Sequence, residues 1–186
     1  MSIKIIDNFL DEKYFHKIQS HIEKIDFPWY YRDNITSGEE DSVGKYGFNH
    51  LLIDGKATYN FDILNALIYE MIKVTASKNI FRCRLDMTVN RGDSIILDPH
   101  VDFFFPHISS ILYINNSDGN TIIYNQRYNK RDGYNQNLTV MEEIEPIANR
   151  LLIFDGMYIH TGCTPSKNNR RILINSNFRY KRCREL

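Results

Sequence analysis

The segment "DPHVDFFFPH" at 98–107 places His100 and Asp102 two residues apart. In an extended chain, residues i and i+2 point to the same face, so both side chains enter one space. A neutral imidazole and a carboxylate form a mixed nitrogen and oxygen donor set that suits a divalent transition metal. His160, far along the chain in "FDGMYIHTG", follows an apolar strand and precedes a turn, so it can complete a face of three ligands. Two histidines and one carboxylate leave positions open on an octahedral ion for an oxoacid and for dioxygen. A His-x-Asp pair alone recurs by chance, and other residues compete with it. His107, beyond Pro106, reads as a rim histidine at a strand end, and His50 is a further competitor. Asp98 precedes Pro99 and reads as a turn residue. His16 and His21 read as surface or packing residues of a helix.

After His160 comes "TGCTPSKNNRRILINSNF", a turn and then a strand. A buried arginine at the start of that strand can form a bidentate pair with a carboxylate. Arg170 and Arg171 compete for the role. Strand alternation sends them to opposite faces, so only one points inward.

These groups need a scaffold. "DEKYFHKIQSHIEKI" sets Tyr14, Phe15, Ile18, Ile22 and Ile25 at helical spacing, with Asp11 near the N-cap. "NFDILNALIYEMIKVTAS" repeats the pattern, with Asn60 as a cap. The stretch between them reads as extended chain and loop, broken by Pro28, Gly38, Gly44 and Gly47. From residue 80 the texture changes to short strands: "IFRCRLDMTVN", "ILDPHVDFFF", "ISSILYIN", "TIIYN", "LTVMEEIE", "RLLIFDG" and "RRILINSNFRY". Turn signals such as "NNSDGN" and "TPSKNN" separate them. The expected class is mainly β (α+β), a jelly roll or cupin-like barrel with N-terminal supporting helices. One domain over 1–186 is expected, with 1–79 as helical support and 80–182 as the jelly-roll core.

Composition bounds the function. Net charge is formally zero, so no global field recruits nucleic acid or a membrane. A local basic cluster, Lys167, Arg170, Arg171, Arg179, Lys181, Arg182 and Arg184, reads first as a solvated tail and strand rim. Cys83, Cys163 and Cys183 form no CxxC pair, and the first residues lack a secretory pattern. No stretch approaches the ~18 apolar residues of a membrane span. A cytoplasmic protein with reduced thiols is the expectation.

With these residues in view, the chain resembles the 2-oxoglutarate/Fe(II) oxygenases of the prolyl-4-hydroxylase-like branch, over roughly residues 82 to 180. "HVD" matches the first two ligands and "IH" at 159–160 the third. "SILYIN" resembles the strand whose tyrosine reaches the cosubstrate carboxylate, by position Tyr113. "DGNTIIY" resembles the family's Gly-Gly-Thr-Glu-like strand, with Gly119 and Thr121 in its places. "RILINSNF" resembles the basic strand, and its register selects Arg171, with Asn175 four residues on and Arg170 as the fallback. Two departures stand out: Asn90 where a tyrosine is frequent, and Asn120 where a second glycine is common.

The resemblance implies His100, Asp102 and His160 as ligands of Fe(II), and Arg171, Tyr113 and Asn175 as the 2-oxoglutarate site. Dioxygen is the second cosubstrate, and ascorbate is a candidate accessory reductant. The implied reaction is oxidative decarboxylation coupled to hydroxylation of a substrate C–H, by analogy a peptidyl prolyl or other amino-acid side chain. Trp29, Tyr30, Tyr31, Arg32, Tyr46 and Phe48 are candidates for a substrate mouth, and loop 126–137 for a lid. Phe103 to Phe105 read mainly as core packing. The alternatives are a cupin-like non-catalytic binding module, a nucleic-acid demethylase of the same superfamily, and a zinc hydrolase, which has no need of Tyr113 and Arg171. Oligomeric state is not legible.

Overall fold

Asp11 starts the first helix, α1 (Glu12–Ile22), by accepting a hydrogen bond from the Tyr14 amide at 3.1 Å. The computed structural model describes residues 2–35, 45–57, 62–134 and 137–180. α1 buries Phe15, Ile18 and Ile22, and Ile25 lies beyond its end, fully exposed. Burying each of those three side chains is worth about 1.5–3 kcal/mol. The second helix, α2 (Asn65–Val74), follows a 3-10 turn (Asp62–Leu64) and has no side-chain cap of its own. Its amide at Leu67 is met instead by the Tyr14 hydroxyl at 2.8 Å, which also donates to the Ile63 carbonyl at 2.7 Å. One tyrosine thus fixes α1 against the start of α2. Asn60, the expected cap, lies outside the described residues.

The strands are β1 (Lys4–Ile6), β2 (Tyr30–Arg32), β3 (Gly47–Asp54), β4 (Lys56–Ala57), β5 (Asn79–Val89), β6 (Ile108–Tyr113), β7 (Thr121–Arg127), β8 (Val140–Ile144), β9 (Leu151–Asp155), β10 (Tyr158–Gly162) and β11 (Arg170–Arg179). An eight-stranded sheet runs β1-β9-β6-β11-β5-β3-β2, with β4 on β3, and a three-stranded sheet runs β10-β7-β8. Neighbours pair antiparallel. The first 79 residues therefore give more than helices: β3 pairs β5 and widens the large sheet. Its signal was hidden by "GFNHLLID", which buries both faces and does not alternate.

Alternation divides the large sheet. On β11, Ile172, Ile174 and Phe178 face the helices and share a core with Phe15, Ile18, Leu67 and Met71. The opposite face sends Ile111, Tyr113, Phe154 and Leu173 against Ile123 and Ile144 of the small sheet. Between the two sheets, this inner face turns polar toward one end, and the site lies there. The result is a jelly-roll core with two helices on one sheet.

Candidate metal centre

The metal set is built by backbone pairing. His100 and His160 exchange both backbone hydrogen bonds, at 2.9 and 3.0 Å, as an isolated antiparallel bridge. Directly opposed residues present their side chains on the same side, and the two rings stand 4.7 Å apart. The segment 98–105 is not the expected strand. Its ladder consists of single bridges, Ile96 to Cys163 and His100 to His160, because Pro99 and Pro106 interrupt it. His160 does follow the apolar strand β9, and it lies within the next strand, β10.

Both histidines have a fixed tautomer. His100 Nδ1 lies 2.9 Å from the Asp98 carbonyl and His160 Nδ1 lies 2.9 Å from the Tyr158 carbonyl. A carbonyl only accepts, so each Nδ1 carries a proton, which in the neutral ring leaves the Nε2 lone pair for a metal. Burial, with the neighbouring His100 adding to it, pushes His160 down to about 4, so the ring is neutral at pH 7. Asp102 completes the group, and the three ligand atoms lie within 4.8 Å of one another. A compact set of two imidazole nitrogens and one carboxylate fits a divalent metal with open positions.

Asp102 is held from four directions. Arg82 Nη2 approaches Oδ1 at 2.5 Å and Asn175 Nδ2 donates to it at 3.2 Å. Asn177 Nδ2 and the Ser109 hydroxyl donate to Oδ2 at 2.8 and 3.1 Å. Burial alone would raise its pKa, but the charge of Arg82 and the adjoining donors outweigh it and hold the carboxyl well below its ordinary range.

Arg171 settles the choice between the two arginines. It is buried, whereas Arg170 points outward to Glu23 at 2.9 Å. Arg171 Nη2 and the Tyr113 hydroxyl converge on Thr121 Oγ1, at 2.7 and 2.6 Å. Space for the guanidinium comes from two glycines. A Cβ on Gly119 would lie 3.0 Å from Arg171 Cδ, and one on Gly162 would lie 3.2 Å from its Nη1. Burial pushes Arg171 below its ordinary value, and its Nε has no hydrogen-bond partner. A buried, under-satisfied cation calls for an anion.

A pocket of about 540 Å³, counting its open mouth, joins His100 and His160 to Arg171 and Asn175. Leu97, Ile111 and Leu173 supply its apolar wall. Asn175, expected at the 2-oxoglutarate end, lines this pocket but extends its amide to Asp102.

Other candidates lie elsewhere. His107 is no rim histidine: it is fully buried, with Nδ1 on the Phe105 carbonyl at 2.7 Å and its ring packed on Gly156. His50 is buried against Phe27, its Nδ1 2.6 Å from the Pro28 carbonyl. Asp98 pairs with Lys45 at 2.6 Å. Phe104 and Phe105 are exposed rather than core, and Phe103 meets Phe81 edge-to-face with ring centroids 4.9 Å apart. Asn90 ties the end of β5 to the Ser166 carbonyl at 2.7 Å, and Asn120 reaches Glu143 at 2.8 Å. Trp29 packs on Phe27, while Tyr31 is exposed beside Tyr46 and Phe48. In loop 126–137, Tyr134 accepts from the Val101 amide at 3.3 Å, and residues 135–136 lie outside the described residues, as do Lys181, Arg182 and Arg184 of the basic tail. No helix among the described residues is long and apolar enough to cross a membrane.

Sequence reasoning missed one strand face. Arg82, Arg84, Asp86 and Thr88 of β5 pair across from Asn177, Asn175, Leu173 and Arg171 of β11, so they share the inner face. The signal was present as polar alternation in "RCRLDMT".

No family model and no curated protein matches the sequence. Solved structures do match. A prolyl-4-hydroxylase from Pseudomonas putida aligns at 14% identity over 96% of this chain and 92% of its own, with a TM-score of 0.63. A 2OG-Fe(II) oxygenase family oxidoreductase from Burkholderia pseudomallei aligns at 13% over 95% and 84%, with a TM-score of 0.67. SnoN, a non-heme alpha ketoglutarate-dependent epimerase from nogalamycin biosynthesis, aligns at 10% over 96% and 78%, with a TM-score of 0.67. The fold of this chain is that of the 2-oxoglutarate/Fe(II) oxygenases, prolyl-4-hydroxylase-like members among them.

Proposed function

We propose that the chain is an Fe(II)- and 2-oxoglutarate-dependent dioxygenase that hydroxylates a substrate C–H, with an amino-acid side chain as the substrate class closest to the analogy. The carrying observation is that the pocket lined by His100 and His160, which Asp102 joins in one compact ligand set, is also lined by the under-satisfied Arg171. A cupin-like binding module or a zinc hydrolase has no use for the second feature.

Iron held by the three residues would supply dioxygen activation, driven by oxidation of the keto acid. The chain's own residues do the rest. The Asp98 and Tyr158 carbonyls keep the His100 and His160 lone pairs aimed inward. Arg82, Ser109, Asn175 and Asn177 orient the Asp102 carboxylate. Arg171 takes the distal carboxylate of 2-oxoglutarate by charge-assisted hydrogen bonds, steadied by Thr121 and Tyr113. Leu97, Ile111 and Leu173 exclude water from the space between.

The purified protein, given Fe(II), 2-oxoglutarate and oxygen, is expected to release succinate, and His160→Ala is expected to abolish that release. Succinate release that persists without iron, or its absence under all metal conditions, contradicts the reading.

A further inference from the structure

The anchor and the metal set leave one charged pair in the pocket unexplained. Arg84 and Asp86 both line it, on the β5 face between Arg82, which touches Asp102, and Thr88, which pairs with Arg171. Arg84 Nε lies 2.7 Å from Asp86 Oδ1, yet neither atom makes an aligned hydrogen bond. Both side chains are mostly buried, at 22% and 14% exposure. Thr88 Oγ1 beside them is also buried without a partner. Native interiors seldom leave several adjacent polar atoms unsatisfied, and such a cluster needs a reason. A buried ion pair offsets its desolvation only when its geometry is good and its remaining atoms find further partners. This one is open toward the pocket.

The pair is electrically neutral, which limits its ligand. A simple cation would meet Asp86 but be opposed by Arg84, and a simple anion the reverse. A ligand with adjacent ammonium and carboxylate groups satisfies both.

We propose that Arg84 and Asp86 read the two charges of a zwitterionic free α-amino acid, its carboxylate on the Arg84 guanidinium and its ammonium on Asp86. The primary substrate is then a free amino acid and not a residue within a peptide. This rests on the dioxygenase reading and narrows its substrate. A peptide residue lacks both charges and leaves the desolvated pair with only each other, the situation in which polar sites discriminate most strongly.

The test is calorimetric binding of the twenty free L-amino acids, each beside its N-acetyl and its carboxamide form. It is run anaerobically on the protein with Fe(II) and 2-oxoglutarate, and again on the protein without either. At least one free amino acid is expected to bind saturably, and each capped form about 100-fold more weakly or not at all. Asp86→Asn is expected to erase the preference over the N-acetyl form while keeping the preference over the carboxamide, and Arg84→Met to do the opposite. The proposal is overturned if no free amino acid binds in either state, or if capped forms bind equally, as a peptidyl substrate requires. The wild-type comparison decides this even if a variant fails to fold. Failure of the dioxygenase reading is distinct: 2-oxoglutarate and iron would then not bind, whatever the amino acids do.

Discussion

Arg82 Nη2 lies 2.5 Å from Asp102 Oδ1, so the only carboxylate in the metal set is already matched by a cation from the neighbouring strand. Both side chains are largely buried, at 16% and 3% exposure. Removing the cation strands a buried carboxylate, which costs about 3–5 kcal/mol. A bound divalent metal can take over that charge.

Arg82→Met is therefore expected to lower the melting temperature of the metal-free protein by about 6–20 °C, at roughly 2–4 °C per kcal/mol for a domain of this size. Mn(II) is expected to recover most of the loss. Thermal unfolding with and without the metal measures both. An equal loss in the two states would show that Arg82 packs but does not serve the carboxylate.

Arg171→Met is expected to weaken 2-oxoglutarate binding roughly 10- to 150-fold, since a hydrogen bond to a charged group is worth about 1.5–3 kcal/mol. Arg170→Met removes only the outward contact with Glu23 and is expected to leave that affinity within about twofold. Equilibrium binding of 2-oxoglutarate to the two variants separates the roles.

Gly119→Ala acts at a distance from the metal. Its Cβ would lie 2.5 Å from the Cys163 carbonyl and 3.0 Å from Arg171 Cδ. The carbonyl is backbone and cannot yield, so the β7 entry shifts. The expected result is about 1–3 kcal/mol of lost stability with weaker 2-oxoglutarate binding. Denaturant unfolding and binding measured on one sample check both effects.

Asp118 contributes to the acid limb of stability. Its carboxylate accepts from the Ser166, Lys167 and Asn168 amides and the Ser166 hydroxyl, closing the turn that leads into Arg171. Burial would raise its pKa, but these donors outweigh it and hold the group far below the ordinary 3.8. The folded state thus favours the ionised form, and the resulting stability is fully present above about pH 4 and fades as pH falls further. Asp118→Asn is expected to flatten the acid decline between pH 4 and 2. Unfolding midpoints across that range measure it.

Much of this was legible in the sequence because it depends on local periodicity. The i and i+2 spacing of His100 and Asp102 does bring them together, although through a bridge and not a strand. Alternation also separated Arg170 from Arg171. What escaped was set by long-range pairing. β3 carries no alternation because it is buried on both faces, and His107 is buried where Gly156 leaves room for its ring beneath Phe81, Phe103 and Phe105. The Asp102 cradle draws on β5, β6 and β11, strands far apart in sequence, so no local pattern announces it.

Under the proposed function, His100, Asp102 and His160 hold Fe(II) while Arg171 holds 2-oxoglutarate beside it. Mixing the protein anaerobically with both and recording the visible spectrum tests this most directly. A charge-transfer band is expected with the intact protein and none with His100→Ala. No band with the intact protein, or a band that survives His100→Ala, would contradict it.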